Sequence, residues 1–336
     1  MAQMAPILPM PPSKTLPEGR YSMMTDTEQD LYPSRQKPRP EWLERRDPVV
    51  HGQPGQEPPV DRELIDQFVR DGFVVLEDVF SPEEVKALTR EANALRERGG
   101  LIPESRISER GMEGADAVRS VFAPHRQSDV FERLAADERL SGLAQFILGD
   151  DVYIHQSRIN YKPAFRGKDF YWHSDFETWH TEDGMPRMRA ISMSVMLTDN
   201  HPHSGPTMFM PGSHMNYVTC VGETPDEHYR ESLKKQEYGV PDGDSLARLA
   251  KLGGIEGPAP KAGSVVVFDC NTMHGSNSNI TPYERINAFF VFNAWSNRLR
   301  DPFGNTQPRP EFVAHRQVKE PIRALKTLPP FPVGGR

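Results

Sequence analysis

Hydrophobic positions along this chain change their period near residue 150. Before that point they recur at helical spacing, and from Val152 onward they alternate with polar residues at the period of half-buried strands. Asp61 stands as an N-cap before Leu64, Ile65, Phe68 and Val69, with Gly72 as the C-terminal stop. A short strand, Phe73 to Leu76, follows. Ser81-Pro82-Glu83-Glu84 combines an N-cap, a first-turn proline and a capping-box glutamate, and Val85, Leu88, Ala92 and Leu95 form the buried stripe of the helix it starts. A further helix is predicted from Ser128 to Leu148, stopped by Gly149.

Strands are predicted over 154–162, around 173–175, over 191–198, over 264–269 and over 285–295. In the first of them Gln156, Arg158, Asn160 and Lys162 share one face, and a face that polar meets water or lines a cavity. His173 and Asp175, one residue apart, are placed on the same face of the next strand. Residues 222–260 are charged and interrupted by Gly and Pro, which suggests a helical insertion. Helices followed by many short strands predict a mainly β fold with flanking helices, its core a double-stranded β-helix of the jelly-roll or cupin-like kind.

Composition adds boundaries. Residues 1–58 are rich in Pro, Arg, Glu and Gln and poor in aliphatic residues, so they are expected to form a flexible, disordered arm in front of a single domain over 59–336. A net charge of −7 offers no basic field for nucleic acid, and no segment approaches the roughly 18 apolar residues of a membrane span. The first residues lack a basic, unbroken apolar leader, so a cytoplasmic location is expected. The two cysteines, Cys220 and Cys270, suggest buried thiols and no disulfide framework.

The candidate chemistry gathers in Phe170–Met185, which holds metal-ligand types, aromatics and acids together. His-x-Asp at 173–175 carries little weight alone. His274, placed just past a strand end before Gly275, adds a second imidazole, and Arg285 opens the last strong strand. Two histidines and one carboxylate on a β core form the facial set that leaves open positions on non-haem Fe(II). Arg285 offers a fork for a carboxylate, and with Ser192 or Lys162 nearby suits a dicarboxylate held at one end by iron.

Trp172-His173-Ser174-Asp175, His274-Gly275 and Arg285 resemble the phytanoyl-CoA dioxygenase superfamily of Fe(II)/2-oxoglutarate oxygenases. Within it, the tract from Trp172 to Arg189 resembles the ectoine hydroxylases, and the resemblance extends over about residues 60–315. Gly205-Pro206 before Pro211-Gly-Ser-His214, and Phe268-Asp-Cys-Asn271 before His274, support it. The long N-terminal arm, Met215 and Cys270 depart from it. The resemblance implies hydroxylation of ectoine coupled to decarboxylation of 2-oxoglutarate with O2, within compatible-solute synthesis under osmotic or heat stress, by a homodimer.

Carried over, His173, Asp175 and His274 would bind iron. Arg285, Lys162, Ser192 and Trp172 would hold 2-oxoglutarate, while Gln156, Thr178, Trp179, Arg309 and Asn293 would contact ectoine. His180, in the same tract, would support the loop or lie exposed. A hydroxylase of another small zwitterion and a non-catalytic cupin-like binding module are the alternatives. Asp175 with Arg285 speaks against the latter, because a structural metal site needs neither an open position nor a carboxylate clamp.

Overall fold

The computed structural model describes residues 30–52, 55–98, 101–108, 118–222, 225, 239–304 and 306–326. The early strands are β1 (Trp42–Glu44), β2 (Phe73–Leu76), β3 (Arg106–Ser108), β4 (Val118–Phe122) and β5 (Val152–Lys162). The middle of the chain supplies β6 (Phe170–His173), β7 (Ala190–Met196), β8 (Thr207–Phe209) and β9 (Asn216–Val218). Finally come β10 (Val265–Asp269), β11 (His274–Ser276) and β12 (Arg285–Ala294). The helices are α1 (Arg62–Asp71), α2 (Pro82–Arg98), α3 (Asp129–Ala136), α4 (Glu138–Leu148), α5 (Asp175–Asp183) and α6 (Gly243–Gly253).

Seven strands form one antiparallel sheet in the order β2-β10-β7-β12-β5-β4-β3, and β6-β11-β8 form a second, antiparallel sheet. Alternation decides what each face of the large sheet meets. Val265, Val267, Met193, Val195, Phe290 and Phe292 pack with apolar residues of α1 to α4, whereas Val266, Phe268, Met196 and Phe289 turn inward and join Phe209 of the small sheet. Phe73 and Phe209 stack at 4.5 Å across that interior. This is the mainly β, helix-flanked jelly roll that the periodicity predicts. No helix of the described residues is long and apolar enough to cross a membrane.

In β5 the register against β12 shifts between Val291, opposite Gln156, and Phe292, opposite Ile154. The bulge at His155 lets Ile154 and Ile159 both join the helix-side core although their spacing is odd. Gln156, Arg158, Asn160 and Lys162 keep their common inward face.

Two expectations need correction. The helix predicted from Ser128 to Leu148 is two helices, because Asp137 takes an extended conformation and its carboxylate accepts from Arg139 N, capping α4. The expected arm is packed from residue 30 to 52: β1 pairs with β9, Tyr32 is fully buried, and Arg45 forks onto Asp269 at 2.7 and 2.9 Å. Its anchors are arginines and aromatics, which a count of aliphatic residues overlooks; residues 1–29 lie outside the described residues. In the proposed insertion α6 is the described helix, and residues 223–224 and 226–238 lie outside the description.

Candidate active site and metal centre

β6 and β11 lie side by side with His173 opposite His274 in register, which brings the two imidazoles to 4.3 Å between ring centroids. The strand ends at His173. Ser174 is extended, and Asp175 is the first residue of α5, so His173 and Asp175 do not share a strand face as predicted. The helix start turns the carboxylate back toward the imidazoles. Asp175 Oδ1 is 3.8 Å from His173 Nε2, and Oδ2 is 3.8 Å from His274 Nε2.

Both rings are oriented by the backbone. His173 Nδ1 lies 2.7 Å from Tyr171 O and His274 Nδ1 lies 3.0 Å from Thr272 O. A ring whose Nδ1–H donates to a carbonyl keeps its Nε2 lone pair free for a metal. Burial, then the neighbouring His274, pushes the His173 pKa down to about 4, so the ring is neutral at physiological pH. Burial alone would raise the Asp175 carboxyl, but His274 and Arg158 outweigh it and hold it below the ordinary carboxylate value. The donor atoms of the three residues lie within 4.8 Å of one another. Two neutral imidazoles and one carboxylate, with their other polar atoms tied back, fit Fe(II).

One inner cavity connects this cluster to two cationic ends, which the six residue steps from Gln156 to Lys162 separate by about 20 Å of strand. At one end is Arg285, whose Nη1 donates to Gly205 O at 2.6 Å and whose buried Nε has no partner among the described residues. Burial, then Arg119, pushes its pKa down to about 9, the mark of a guanidinium without a facing acid. Lys162, Arg285's strand partner, is pushed well down by burial and then by Arg285. Such a site is built for an anion.

At the other end Gln156, Arg158, Thr178, Trp179, Glu182 and Arg309 line the cavity. Arg158 Nη1 donates to Gln156 Oε1 at 2.8 Å, Gln156 Nε2 donates to Val313 O at 2.7 Å, and Arg158 lies over the Phe289 ring. Asp175, Thr178, Trp179 and Glu182 follow the i, i+3, i+4, i+7 pattern and form one stripe of α5.

Other predicted residues stand outside the cavity wall. Lys162 Nζ sits one layer back, donating to Ser276 Oγ at 2.8 Å, and Ser276 lines the cavity. Ser192 Oγ donates to Asp175 Oδ2 at 3.4 Å, so it braces the carboxylate. Trp172 packs beside Met210, Val218 and Met273. Asn293 is corrected outright: it is fully buried and donates to Tyr153 Oη and Asn297 O, away from the cavity, because β12 turns that side chain toward the sheet end. His180 is buried, bonded to Met185 O and Asp30. Cys220 and Cys270 are buried free thiols.

Sequence reasoning missed the lining Phe289 and Arg119 behind Arg285, and gave no role to the lining Arg158 and Asn160. Arg158 and Asn160 had a signal, their place on the polar face of β5.

A jelly roll that buries two imidazoles and a carboxylate beside an anion-binding arginine places the protein among the non-haem iron oxygenases that use a 2-oxo acid. The phytanoyl-CoA dioxygenase (PhyH) family model matches residues 68–287, and the chain belongs to that family. It is 58% identical over 296 residues, 88% of its length and 96% of the relative's, to the ectoine dioxygenase of Sphingopyxis alaskensis. Against the ectoine dioxygenase of Halomonas elongata it is 46% identical over 324 residues, 90% of this chain and 95% of that one. In three dimensions it resembles EctD from S. alaskensis crystallised with 2-oxoglutarate and 5-hydroxyectoine. That match has a TM-score of 0.81 and 51% identity over 89% of this chain and 99% of that one.

Proposed function

We infer that this protein hydroxylates ectoine to 5-hydroxyectoine while 2-oxoglutarate is decarboxylated to succinate and CO2. The observation that carries the reading is the cavity itself: a metal-ligand triad with a buried arginine that has no acid partner among the described residues at one end, and two arginines, an acid and an indole at the other. Ectoine dioxygenases are the relatives that match it over most of their length.

His173, Asp175 and His274 would hold Fe(II), which supplies the activation of O2. Arg285 receives the far carboxylate of 2-oxoglutarate, and Lys162 supports that end through Ser276. Ectoine is a ring bearing a delocalised amidinium and a carboxylate. The Trp179 face suits the cation, Glu182 is the cavity acid left once Asp175 serves the metal, and Arg309 and Arg158 suit the carboxylate. Gln156 and Thr178 supply hydrogen bonds between these charges. Burial of these side chains lowers the local dielectric, which strengthens each of these contacts.

Purified protein given Fe(II), O2, 2-oxoglutarate and ectoine is expected to release succinate and an ectoine product heavier by one oxygen atom, in equal amounts, by mass spectrometry. Succinate without hydroxylated ectoine would overturn the substrate and leave the class. The setting we propose is cytoplasmic compatible-solute synthesis under osmotic or heat stress, by a homodimer. A monomeric mass in light scattering would overturn the last point.

A further inference from the structure

Arg309 comes from the C-terminal segment, outside the sheets, and its guanidinium is hydrogen-bonded by Asp183, with the Glu182 carboxylate farther off at 3.8 Å from Nε. Asp183 accepts from Arg309 Nε at 2.7 Å and from Nη2 at 2.6 Å, a two-pronged pair with both side chains buried. Nη1 takes no part in that fork, and Arg309 lines the cavity. The same carboxylate lies 3.2 Å from His155 Nε2, and the His155 ring stands edge-on to Trp179 at 5.2 Å. Asp183 therefore touches the support of both groups assigned to the substrate, yet does not itself line the cavity.

Its place on α5 adds a dimension. Asp175, the metal ligand, is the first residue of that helix and Asp183 is the last, so the helix spaces the two by about 12 Å along its axis. At the C-terminal end Gly184 adopts φ 74°, and a side chain there would run into Arg300 O at 2.1 Å. This close approach fixes where the helix stops and the C-terminal segment crosses it.

We propose that Asp183 is the positioning residue for substrate recognition: it aims Arg309 at the ectoine carboxylate and, through α5, sets the distance between that arginine and the metal ligand Asp175. The proposal rests on the reading of Arg309 as a substrate contact. It assigns to Asp183 a role in ectoine binding and none in 2-oxoglutarate binding, since Arg285 and Lys162 lie at the other end of β5 and β12.

The test is a mutant cycle on the iron-loaded enzyme, with KM measured separately for ectoine and 2-oxoglutarate. Asp183→Asn is expected to raise the ectoine KM about 10- to 100-fold, the scale of a lost charge-assisted hydrogen bond, and to leave the 2-oxoglutarate KM within about twofold. In an Arg309→Gln background the same change should add nothing to the ectoine KM, because the group it aims is gone. Asp183→Glu keeps the charge and displaces the fork, so it also raises the ectoine KM; it carries the test if the asparagine variant does not fold. Equal rises in both KM values, or a lower kcat with the ectoine KM unchanged, would show Asp183 to be a brace of the fold and overturn the proposal. A raised ectoine KM in Arg309→Gln beside a normal one in Asp183→Asn would overturn the proposal alone. An unchanged ectoine KM in Arg309→Gln would overturn the underlying reading and the proposal with it.

Discussion

Helices α2 and α5 are built on opposite principles. α2 has 17 residues, a capping box closed in both directions between Ser81 and Glu84, and one apolar stripe of Val85, Leu88, Ala92 and Leu95 against the core. α5 has nine residues, of which eight are buried, and six of those eight are Asp, Glu, His or Thr. Its N-cap Ser174 makes no side-chain capping bond. A helix that short is marginal by itself, so partners from elsewhere in the chain must hold it. Arg35 grips Glu177 and Glu182 at 2.7 and 2.9 Å, Asp30 meets His180 at 2.9 Å, and Arg309 takes Asp183. One stripe of α5 lines the cavity, the clamps hold the rest of the helix, and Glu182 belongs to both. α2 is stabilised by hydrophobic burial and local signals; α5 exists because distant charges converge on it.

The largest effect that tests this division is at the front of α5. Asp175→Ala is expected to lower ectoine hydroxylation by more than the ~100-fold that changes around a metal's ligands cost, while the far-ultraviolet circular dichroism stays that of the folded protein. Retained turnover would remove the triad and with it the view that α5 is a functional helix.

Next comes the clamp. Arg35→Ala leaves Glu177 and Glu182 buried without that partner, a change that costs about 3–5 kcal/mol and lowers Tm by about 4–7 °C in a chain of this size. The acid limb of stability sharpens the point. Burial alone would raise Glu177, but Arg35 outweighs it and lowers its pKa in the folded state; Asp183 is held down to about 2 by Arg309 against burial. Unfolded carboxylates titrate near 4 and bind protons first, so this stabilisation is complete above about pH 4 and is lost as pH falls toward 2. Arg35→Ala should therefore show a shallower loss of stability over that window in urea titrations. An unchanged acid limb would mean that the N-terminal segment does not hold α5.

The same contrast explains what could be read from the chain alone. α1, α2, β5, β10 and β12 announce themselves because hydrophobic burial is their main support, and burial leaves a period in the sequence. The triad and Arg285 were legible because strand spacing, a glycine after His274 and the family tract converge on them. α5 was read as strand and loop: its inward stripe of Asp175, Thr178, Trp179 and Glu182 does have helical spacing, but a polar stripe on a buried helix does not register as amphipathic. Residues 30–52 were missed for the same reason, since Arg35 and Arg45 do there what leucines do in α2. Asn293 went wrong in the other direction, because a polar residue on an inward-reading strand can be satisfied by Tyr153 and Asn297 without meeting a ligand.

The smallest effect is expected in α2. Ser81→Ala removes one half of the capping box and should cost about 1 kcal/mol, with Pro82 still preset for the first turn. Turnover of ectoine should stay within about twofold, because no residue of α2 lines the cavity. A contact that could break the comparison is Tyr161, whose hydroxyl on β5 donates to Ala92 O at 2.7 Å, beside the strand positions Asn160 and Lys162. If α2 only packs, loosening its first turn leaves Ala92, two to three turns further along, in place and the KM values unmoved. A rise in the 2-oxoglutarate KM in step with the loss of Tm would instead show that α2 sets the position of β5, and the separation between a helix that packs and a helix that works would fail at Tyr161.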